Sequence, residues 1–576
     1  MLAALLVSPS LFIGFHLDDY VHRYLLSGSQ EPDAQALRRS YESPFGIANG
    51  DRADNHWQIE AGYAPYWIDP DLLVSLYRPL SELSHELDAA LFPRSALLQH
   101  AHNILWYALL VAAVVALYRS LLGRTTVAGL AALLYALDHT HGFAVGWIAN
   151  RNAPIAACLG CLALLAHHKA RVQRSLALGL LAGGLLFGAL LSGEGAVAIA
   201  GFLLAYALFV ERDASFALRI VSLVPHGIAL IAWRVLYAAF DRGAHGSGLY
   251  LDPAREPLAF ALAAIERMPV LLFGELLLPP AEAYVFAPPP LPAVMWVVAV
   301  ALAIALAVAA APLVRRDRMA AFWALSTVLA LVPAVSTHPN NRLLFFVGLG
   351  VMGLLSQLWH GVLENADWLP SHRLGLTRIL AACLVGFHLV ISPFLLPLTA
   401  CSVALTAPAR EAADAILEAG EGGADVIVLS APDYYYTKLA RPIAALEGRA
   451  APRRLRALSF GEVPVTVVRE DSRTLLVRYA GGLLREPLLT LYRAPGNPVP
   501  AGARIALDGV SLEVTEVTPD GHIAALRCAF DQDLDGADKA PAPRFLAWDG
   551  ARLSPVRLPR VGQSLDLPPA KVRFAL

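Results

Sequence analysis

The chain has 576 residues, of which 57% are hydrophobic and only 16% are charged. A soluble domain normally has about a quarter of its residues charged, so this composition excludes an ordinary soluble protein and indicates an integral membrane protein. The net charge of -2 creates no strong field of either sign, and we therefore expect no nucleic acid partner.

The N-terminal segment, residues 1–15, is apolar and leads into FHLDDY, which contains the adjacent carboxylates Asp18 and Asp19. A membrane span needs about 20 residues, so this segment is barely long enough, and the acidic pair is predicted at the membrane surface. Ionisable groups there are costly and usually have a function. Residues 17–96 are polar and aromatic, which predicts a large first extramembrane loop.

Apolar runs of sufficient length predict further membrane spans. They lie near residues 97–118, 125–138, 154–167, 175–192, 195–210, 218–240, 292–312, 320–336, 343–360 and 376–398. With the N-terminal segment, the prediction is about eleven transmembrane helices. The run 258–278 is ambiguous because it contains Glu266, Arg267 and Glu275 and is interrupted by Pro269. It is predicted to be re-entrant or interfacial.

The distribution of Lys and Arg among the short loops predicts the orientation in the membrane. If the N-terminus is cytoplasmic, most of these residues fall in inner loops, and the short outer loops contain only Arg151 and Arg342. This orientation requires that residues 258–278 do not span. It predicts a transmembrane domain, 1–400, whose first loop is periplasmic, and a separate periplasmic domain, 402–576.

The last part of the chain contains no spanning run. Residues 407–420 have helical spacing, DVIVLSAP at 425–432 predicts a buried strand, and 434–448 predicts a helix. From Arg453 onward, short alternating segments separated by Gly, Pro and Asp predict β-strands. The predicted fold class is therefore an α-helical polytopic membrane protein with a soluble, β-rich α+β domain at its C-terminus.

Polar residues at the ends of several predicted spans share the outer side of the membrane. They are Asp18, Asp19, Arg78, His100, His102, Asn103, His139, His141, Arg151, Glu194, Asp241, Arg242 and Arg342. Charged side chains at helix ends often do no more than reach water. Glu194 is different, because it lies between two apolar spans with few residues in which to leave the membrane. These positions predict a polar site at the outer surface.

The residue types indicate which chemistry such a site can perform. A carboxylate can take a proton from a hydroxyl as general base, and arginine can hold a phosphate group by paired hydrogen bonds. Neighbouring side chains such as Asp18 and Asp19 point in different directions, so we expect one base and one orienting partner, with either residue in either role. No Gly-rich nucleotide loop follows a strand, which disfavours a soluble nucleotide-sugar donor.

Six segments carry a resemblance to a known family. They are FHLDDY, LYRPLSELSHELDAALF (76–92), LLQHAHNILWYALL (97–110), VGWIANRNAPIAA (145–157), LLSGEGAV (190–197) and NNRLLFFVGLG (340–350). In this order they resemble segments of the polytopic GT-C glycosyltransferase superfamily, in particular the transmembrane O-mannosyltransferases that carry tetratricopeptide repeats and their bacterial relatives. The resemblance covers roughly the first 400 residues.

The resemblance implies a GT-C fold, a polyprenyl-phosphate-linked sugar as donor, and Asp18 and Asp19 as the catalytic acidic pair. The site-lining residues that we expect beside them are Arg78, Arg151 and Arg342 for the donor phosphate, together with His102 and Glu194. The chain departs from the family at Gly193, where Lys is frequent, and at Ala153 and Pro154, where an acid is usual. The identity of the sugar is therefore left open.

The expected function is that of an inverting hexosyltransferase of the bacterial inner membrane, acting on an acceptor hydroxyl at the periplasmic side. The acceptor, which is a glycan, a lipid or a protein, is left open. No metal-binding residues and no cofactor are predicted, although a divalent metal is not excluded. The alternatives are a carrier or flippase for lipid-linked saccharides, which predicts two related halves and charges near the midplane, and a non-catalytic subunit for envelope assembly.

Overall fold

The computed structural model describes residues 1–366, 371–536 and 541–571, and the side chains of residues 371–374 lie outside this description. The chain forms two units. The helical unit comprises Met1–Gly14, Tyr77–Asp241 and Asp252–Val403, and the mixed unit comprises Phe15–Leu76, Arg242–Leu251 and Ala404–Leu576.

The helical unit is built from long apolar helices. Its main helices are Leu2–Val7, Pro79–Leu91, Ala96–Leu122, Thr126–Ala136, Gly142–Gly146, Asn152–Gln173, Leu176–Leu190, Ala198–Ala205, Phe216–Ala239, Pro257–Leu276, Ala283–Phe286, Leu291–Arg316, Arg318–Ala334, Phe345–Leu363, Ser371–Gly386 and Ser392–Cys401. Ten of them coincide with the ten runs predicted from Ala96 onward. A continuous apolar run can satisfy its backbone in lipid only as a helix, which explains this agreement.

The protein is a multipass membrane protein. Within the described residues, seven helices are long and apolar enough to cross a membrane, and four shorter apolar helices accompany them. The shorter ones are Leu2–Phe12, Leu176–Leu190, Glu194–Val210 and Arg318–Ala334. Length and composition do not assign these shorter helices to full spans, so the number eleven stays a prediction.

The segment predicted to be re-entrant or interfacial forms one continuous helix, Pro257–Leu276, with Pro269 inside it. The helix is long and apolar enough to span. One of its charged residues has local partners: Arg267 donates to the carbonyls of Val335 (2.8 Å) and Thr337 (3.0 Å). Length and composition do not decide whether this helix spans, so its re-entrant or interfacial placement stays a prediction. The predicted orientation depended on this segment, so it stays a prediction.

The mixed unit contains a six-stranded antiparallel sheet from the C-terminal region. Its strands, in spatial order, are Ser564–Leu567, Val465–Arg469, Thr474–Tyr479, Ile523–Phe530, Val510–Val517 and Arg504–Leu507. Val477 on the third strand pairs with Val467 on one side and with Leu526 on the other. Buried and less buried positions alternate along Val465–Arg469, as expected for a sheet with one face on the core.

A second sheet of the mixed unit has four strands in the order Leu553–Pro555, Arg544–Trp548, Val426–Ser430 and Leu455–Ala457. Val426–Ser430 is parallel to both of its neighbours and is buried along its whole length. The helices Ala407–Ala419, Tyr435–Lys438 and Ala440–Glu447 complete this region. The predicted helix at 407–420, the buried strand at 425–432 and the helical segment at 434–448 are confirmed.

The first loop folds together with the C-terminal region in the mixed unit, whereas the sequence analysis grouped it with the membrane helices in 1–400, apart from 402–576. Its helices are Asp18–Leu26, Pro32–Tyr41 and Arg52–Ala61, and a small sheet pairs Gly46–Asn49, Leu73–Ser75 and Gly243–His245. Residues from 21–74 and from 409–570 share one hydrophobic core. The sequence contains no local signal for this packing, because it joins opposite ends of the chain. Residues 537–540 and 572–576 of the predicted domain lie outside the described residues.

The contacts that join the loop to the C-terminal region are polar as well as apolar. Arg456, which is buried, donates to the carboxylate (2.6 Å) and to the carbonyl (2.7 Å) of Glu60. The ring of Trp67 meets Phe460 edge to face at 5.7 Å between centroids. These contacts hold the loop on the two sheets, so the acidic pair is carried by a structured scaffold.

Candidate functional site

The acidic pair begins a helix of the mixed unit, Asp18–Leu26. Carboxylates in the first turn are favoured because the peptide dipoles place partial positive charge at that end. The preceding residue, Leu17, has φ 47° and ψ -120°. A non-glycine residue in such a conformation costs about 1–3 kcal/mol and persists only where its surroundings hold it, frequently at functional sites. The backbone is therefore sharply turned immediately before Asp18.

The two carboxylates occupy different environments. Asp19 is 2% exposed, and its Oδ2 accepts a hydrogen bond from the backbone N–H of His16 at 2.9 Å. The side chain of Asp18 is 26% exposed. Of the two, Asp18 is therefore the carboxylate that another molecule can reach.

Two side chains of the C-terminal region contact Asp18. The hydroxyl of Tyr435 donates to Oδ2 at 2.9 Å, and Nζ of Lys438 lies 3.6 Å from Oδ1. Burial and the negative charge of Asp18 raise the pKa of the Tyr435 hydroxyl well above 10, so it remains a donor. Both contacts lie within the mixed unit.

Lys438 is only 3% exposed, and its ammonium group lies over three aromatic rings. The distances from Nζ to the ring centroids are 5.4 Å for Tyr41, 5.5 Å for Tyr434 and 5.3 Å for Tyr435, within the range of cation–π attraction. Burial lowers the pKa of Lys438, but the contacts with Tyr41 and Asp18 outweigh burial, so its pKa is raised above 10.5. The lysine therefore places a positive charge beside the acidic pair.

In the helical unit, Arg78 and Glu194 form an ion pair. Nε and Nη2 of Arg78 lie 2.8 Å and 2.7 Å from Oε2 of Glu194, and the hydroxyl of Tyr237 donates to Oε1 of the same carboxylate. Arg78 precedes the helix Pro79–Leu91, and Glu194 begins the turn Glu194–Val197. With its amide oriented to satisfy both polar atoms, Asn152 also accepts from Nη1 of Arg78 at 3.3 Å. Glu194 therefore orients a guanidinium.

The environment of Arg151 is not the one expected for a ligand of the donor phosphate. Its side chain is completely buried and forms an ion pair with Asp88, which is 1% exposed. The remaining donors of the guanidinium face other protein atoms. The oxygens are the side chain of Asn103, the carbonyl (3.2 Å) and hydroxyl (3.1 Å) of Ser84, and the carbonyl of Gln99 (3.1 Å), and Nη1 also lies 3.1 Å from Nδ1 of His102. Arg151 thus holds helices together, and a phosphate cannot reach it in this arrangement.

His102 belongs to the same buried group. Its Nδ1 lies 2.7 Å from Oδ1 of Asp88, and the indole N–H of Trp106 donates to Nε2 at 3.1 Å. Because Nε2 accepts, we assign the ring proton to Nδ1, where it is donated to Asp88. His102 was predicted to line the site, and the structure places it as a partner of Asp88.

Arg342 is the predicted phosphate residue with the fewest competing partners. Its backbone N–H is held by the side chain of Asn340 (3.0 Å), and its guanidinium carbon lies 5.8 Å from the ring centroid of Trp147. Within the described parts of the chain, Arg342 forms no ion pair with a carboxylate. A partly exposed guanidinium without a carboxylate partner is suited to an anionic ligand.

Comparisons with known proteins find similarity among solved structures only. No protein-family model matches the chain, and no curated protein matches it. Among solved structures, the chain is similar to ArnT from Cupriavidus metallidurans bound to undecaprenyl phosphate, with 14% identity, coverage of 78% of this chain and 88% of that chain, and a TM-score of 0.36. It is also similar to the apo state of the same protein, with 15% identity, coverage of 78% and 87%, and a TM-score of 0.32.

ArnT is a GT-C glycosyltransferase, the superfamily that the six motifs resemble. TM-scores this low do not transfer residue roles, so the roles proposed below rest on the side chains of this chain alone. Within the described residues, no three His, Cys, Asp or Glu side chains are arranged to hold a metal ion.

Several residues of these groups were missed by the sequence analysis. Asp88 lies on the helix Pro79–Leu91. The sequence of this helix contains several polar residues, and nothing in it distinguishes Asp88 from the others. Tyr435 and Lys438 lie more than 400 positions from Asp18. The available signal was weak: Lys438 is one of four lysines in the chain and follows three consecutive tyrosines.

Proposed function

We propose that this protein is a membrane glycosyltransferase that transfers a sugar from a polyprenyl-phosphate-linked donor to an acceptor hydroxyl on the periplasmic side, with inversion. One observation carries the proposal: two adjacent carboxylates begin a helix after an apolar segment, and one is buried and bonded to backbone while the other is accessible. An accessible carboxylate of this kind can take the proton of a hydroxyl nucleophile as general base.

In the proposed reaction, Asp18 takes the proton from the acceptor hydroxyl. The acceptor oxygen then forms a bond to the anomeric carbon, and the bond between that carbon and the phosphate oxygen breaks. The electron pair leaves with the polyprenyl phosphate, and attack from the opposite face inverts the configuration. Arg342 and Arg78 are the proposed phosphate ligands, because arginine matches phosphate oxygens with two parallel hydrogen bonds.

Asp19 and Glu194 have supporting roles in this proposal. Asp19 fixes the turn before the helix through the N–H of His16, and Glu194 holds Arg78 in one orientation.

The experiment measures transfer of radiolabelled sugar from polyprenyl-phosphate mannose and polyprenyl-phosphate glucose in membranes containing the wild-type protein, Asp18→Asn or Asp19→Asn. Loss of a general base lowers kcat by about 100- to 10,000-fold, which is expected for Asp18→Asn. Asp19→Asn should lose less, because asparagine keeps an oxygen for the His16 N–H. Asp33→Asn, which removes an ion pair with Arg441 (2.8 Å), is the matched control.

Full activity of Asp18→Asn at normal expression would contradict the proposal. Vesicles containing only this protein and the donor separate the alternatives. Movement of the labelled lipid between leaflets without turnover would indicate a carrier, and neither movement nor turnover would indicate an assembly subunit.

A further inference from the structure

We propose that Tyr435 and Lys438 are positioning residues for Asp18, so that the C-terminal region completes the catalytic base. The inference rests on the proposed function, since it assigns a role to groups that touch the proposed base and not the substrate. It follows from contacts inside the mixed unit alone.

Tyr435 limits the rotation of the Asp18 carboxylate. Its hydroxyl donates to one oxygen at 2.9 Å, and its ring is stacked on Tyr434 with 4.4 Å between centroids. A tyrosine with only two rotatable side-chain bonds, clamped by a neighbouring ring, is a rigid donor. The carboxylate has two oxygens with about four acceptor sites, so this bond leaves others for an incoming hydroxyl.

A contribution to stability does not by itself explain why the Lys438 side chain is buried. Removing an ammonium group from water is costly, and replacing a buried ion pair by apolar residues of similar volume is often neutral or stabilising. Asp18 is the carboxylate with which Lys438 pairs in the described residues, and Tyr41, Tyr434 and Tyr435 surround its ammonium group. The buried charge therefore acts on one accessible carboxylate, which indicates an electrostatic role.

The helices that carry Asp18 and its two partners are packed within the mixed unit. The helix Asp18–Leu26 packs against Ala440–Glu447, which directly follows the turn that carries Tyr435 and Lys438. Val21, Tyr24 and Leu25 are buried in the core shared with that region. The acid and its two partners thus stand on elements that share one hydrophobic core.

The test compares Tyr435→Phe and Lys438→Met with the wild type in the same membrane assay, as profiles of kcat/KM against pH. Loss of a nearby positive charge or hydrogen-bond donor weakens the stabilisation of a negative charge, so the acidic limb of the kcat/KM profile should move to higher pH in Lys438→Met. Tyr435→Phe should move it in the same direction. In both variants kcat should fall more than KM changes, and Lys438→Arg should restore part of the loss.

Matched controls are Tyr436→Phe, whose ring packs on Trp548 at 5.2 Å, and Lys571→Met, which removes an exposed pair with Glu462. Their pH profiles should equal that of the wild type. Tyr435→Phe removes one oxygen and keeps the ring, so it remains informative if Lys438→Met does not fold.

The outcomes separate this inference from the function on which it rests. Wild-type turnover that is lost in Asp18→Asn, with unshifted profiles in Tyr435→Phe and Lys438→Met, overturns the positioning role alone. A wild-type protein without turnover overturns the proposed function and the inference together.

Discussion

Arg151 and Asp88 form an ion pair in which neither side chain has appreciable contact with solvent. Taking one partner away from such a pair leaves an uncompensated charge in the protein interior. Arg151→Met should therefore destabilise the helical unit by about 3–5 kcal/mol. Thermal unfolding of the detergent-solubilised protein measures this loss.

The double variant Arg151→Met with Asp88→Leu should recover much of that stability, because two apolar side chains can replace a buried pair. A stable Arg151→Met protein with a raised KM for the donor would contradict this assignment. It would return Arg151 to the phosphate-binding role that its sequence position had indicated.

Substitution of Arg342 should weaken donor binding and leave stability unchanged, the reverse of what we expect for Arg151. Its guanidinium lies beside Trp147 without a carboxylate partner in the described residues, so Arg342→Gln should leave the unfolding temperature unchanged. A charged hydrogen bond contributes about 1.5–3 kcal/mol, which corresponds to a rise in the donor KM of about 10- to 100-fold. Arg342→Lys should recover only part, since an ammonium group cannot bind two phosphate oxygens in parallel.

Steady-state transfer over a range of donor concentrations checks the Arg342 prediction. Arg255→Gln, which removes an exposed contact with Asp252 in the same unit, is the control and should leave KM unaltered. An unchanged KM in Arg342→Gln would remove this residue from the proposed site.

The packing of the first loop on the C-terminal region predicts a stability effect at Arg456. This buried arginine makes two hydrogen bonds to Glu60 and one to the carbonyl of Asp508 (2.9 Å). Arg456→Met should cost about 1.5–3 kcal/mol, the range for hydrogen bonds to charged groups. Arg504→Met, which removes an exposed pair with Glu513, should cost less than about 1 kcal/mol. Equal losses in the two variants would show that the loop is not held in this way.

The pH dependence of stability provides a prediction for Lys438. Its pKa is raised above the ordinary value of 10.5, so the folded protein retains this proton more strongly than the unfolded chain. The stabilisation is fully present below pH 10.5 and is lost as the pH rises from there through the folded pKa. Wild-type unfolding temperatures should therefore decline above about pH 10.5. Lys438→Met should show a shallower decline, and parallel curves would argue against a charged lysine at this position.

The elements that local sequence determines were predictable, and those that depend on distant packing were not. Ala96–Leu122 and Leu291–Arg316 were recognised because a helix in lipid needs an unbroken apolar run. Val426–Ser430 was recognised because a strand buried on both faces is continuously apolar. Glu194 was found because a charged residue between two apolar spans is conspicuous.

The roles of individual residues in the site required coordinates. Sequence position made Arg151 and Arg342 equivalent, and the burial of Arg151 with its partners, Asp88 among them, distinguishes the two. Likewise, the contact between Tyr435 and Asp18 depends on the joining of the two ends of the chain, which no local pattern encodes.

The shared core of residues 15–76 and 404–576 also determines the order of events during synthesis. The ribosome completes the first segment and makes its partner only after roughly 330 further residues, most of which must enter the bilayer. At about 5–20 residues per second, this delay is about 15–65 s. During that interval the apolar faces around Tyr24 and Trp67 have no partner. A nascent chain of this protein therefore exposes these apolar faces of its first loop until the C-terminal region emerges.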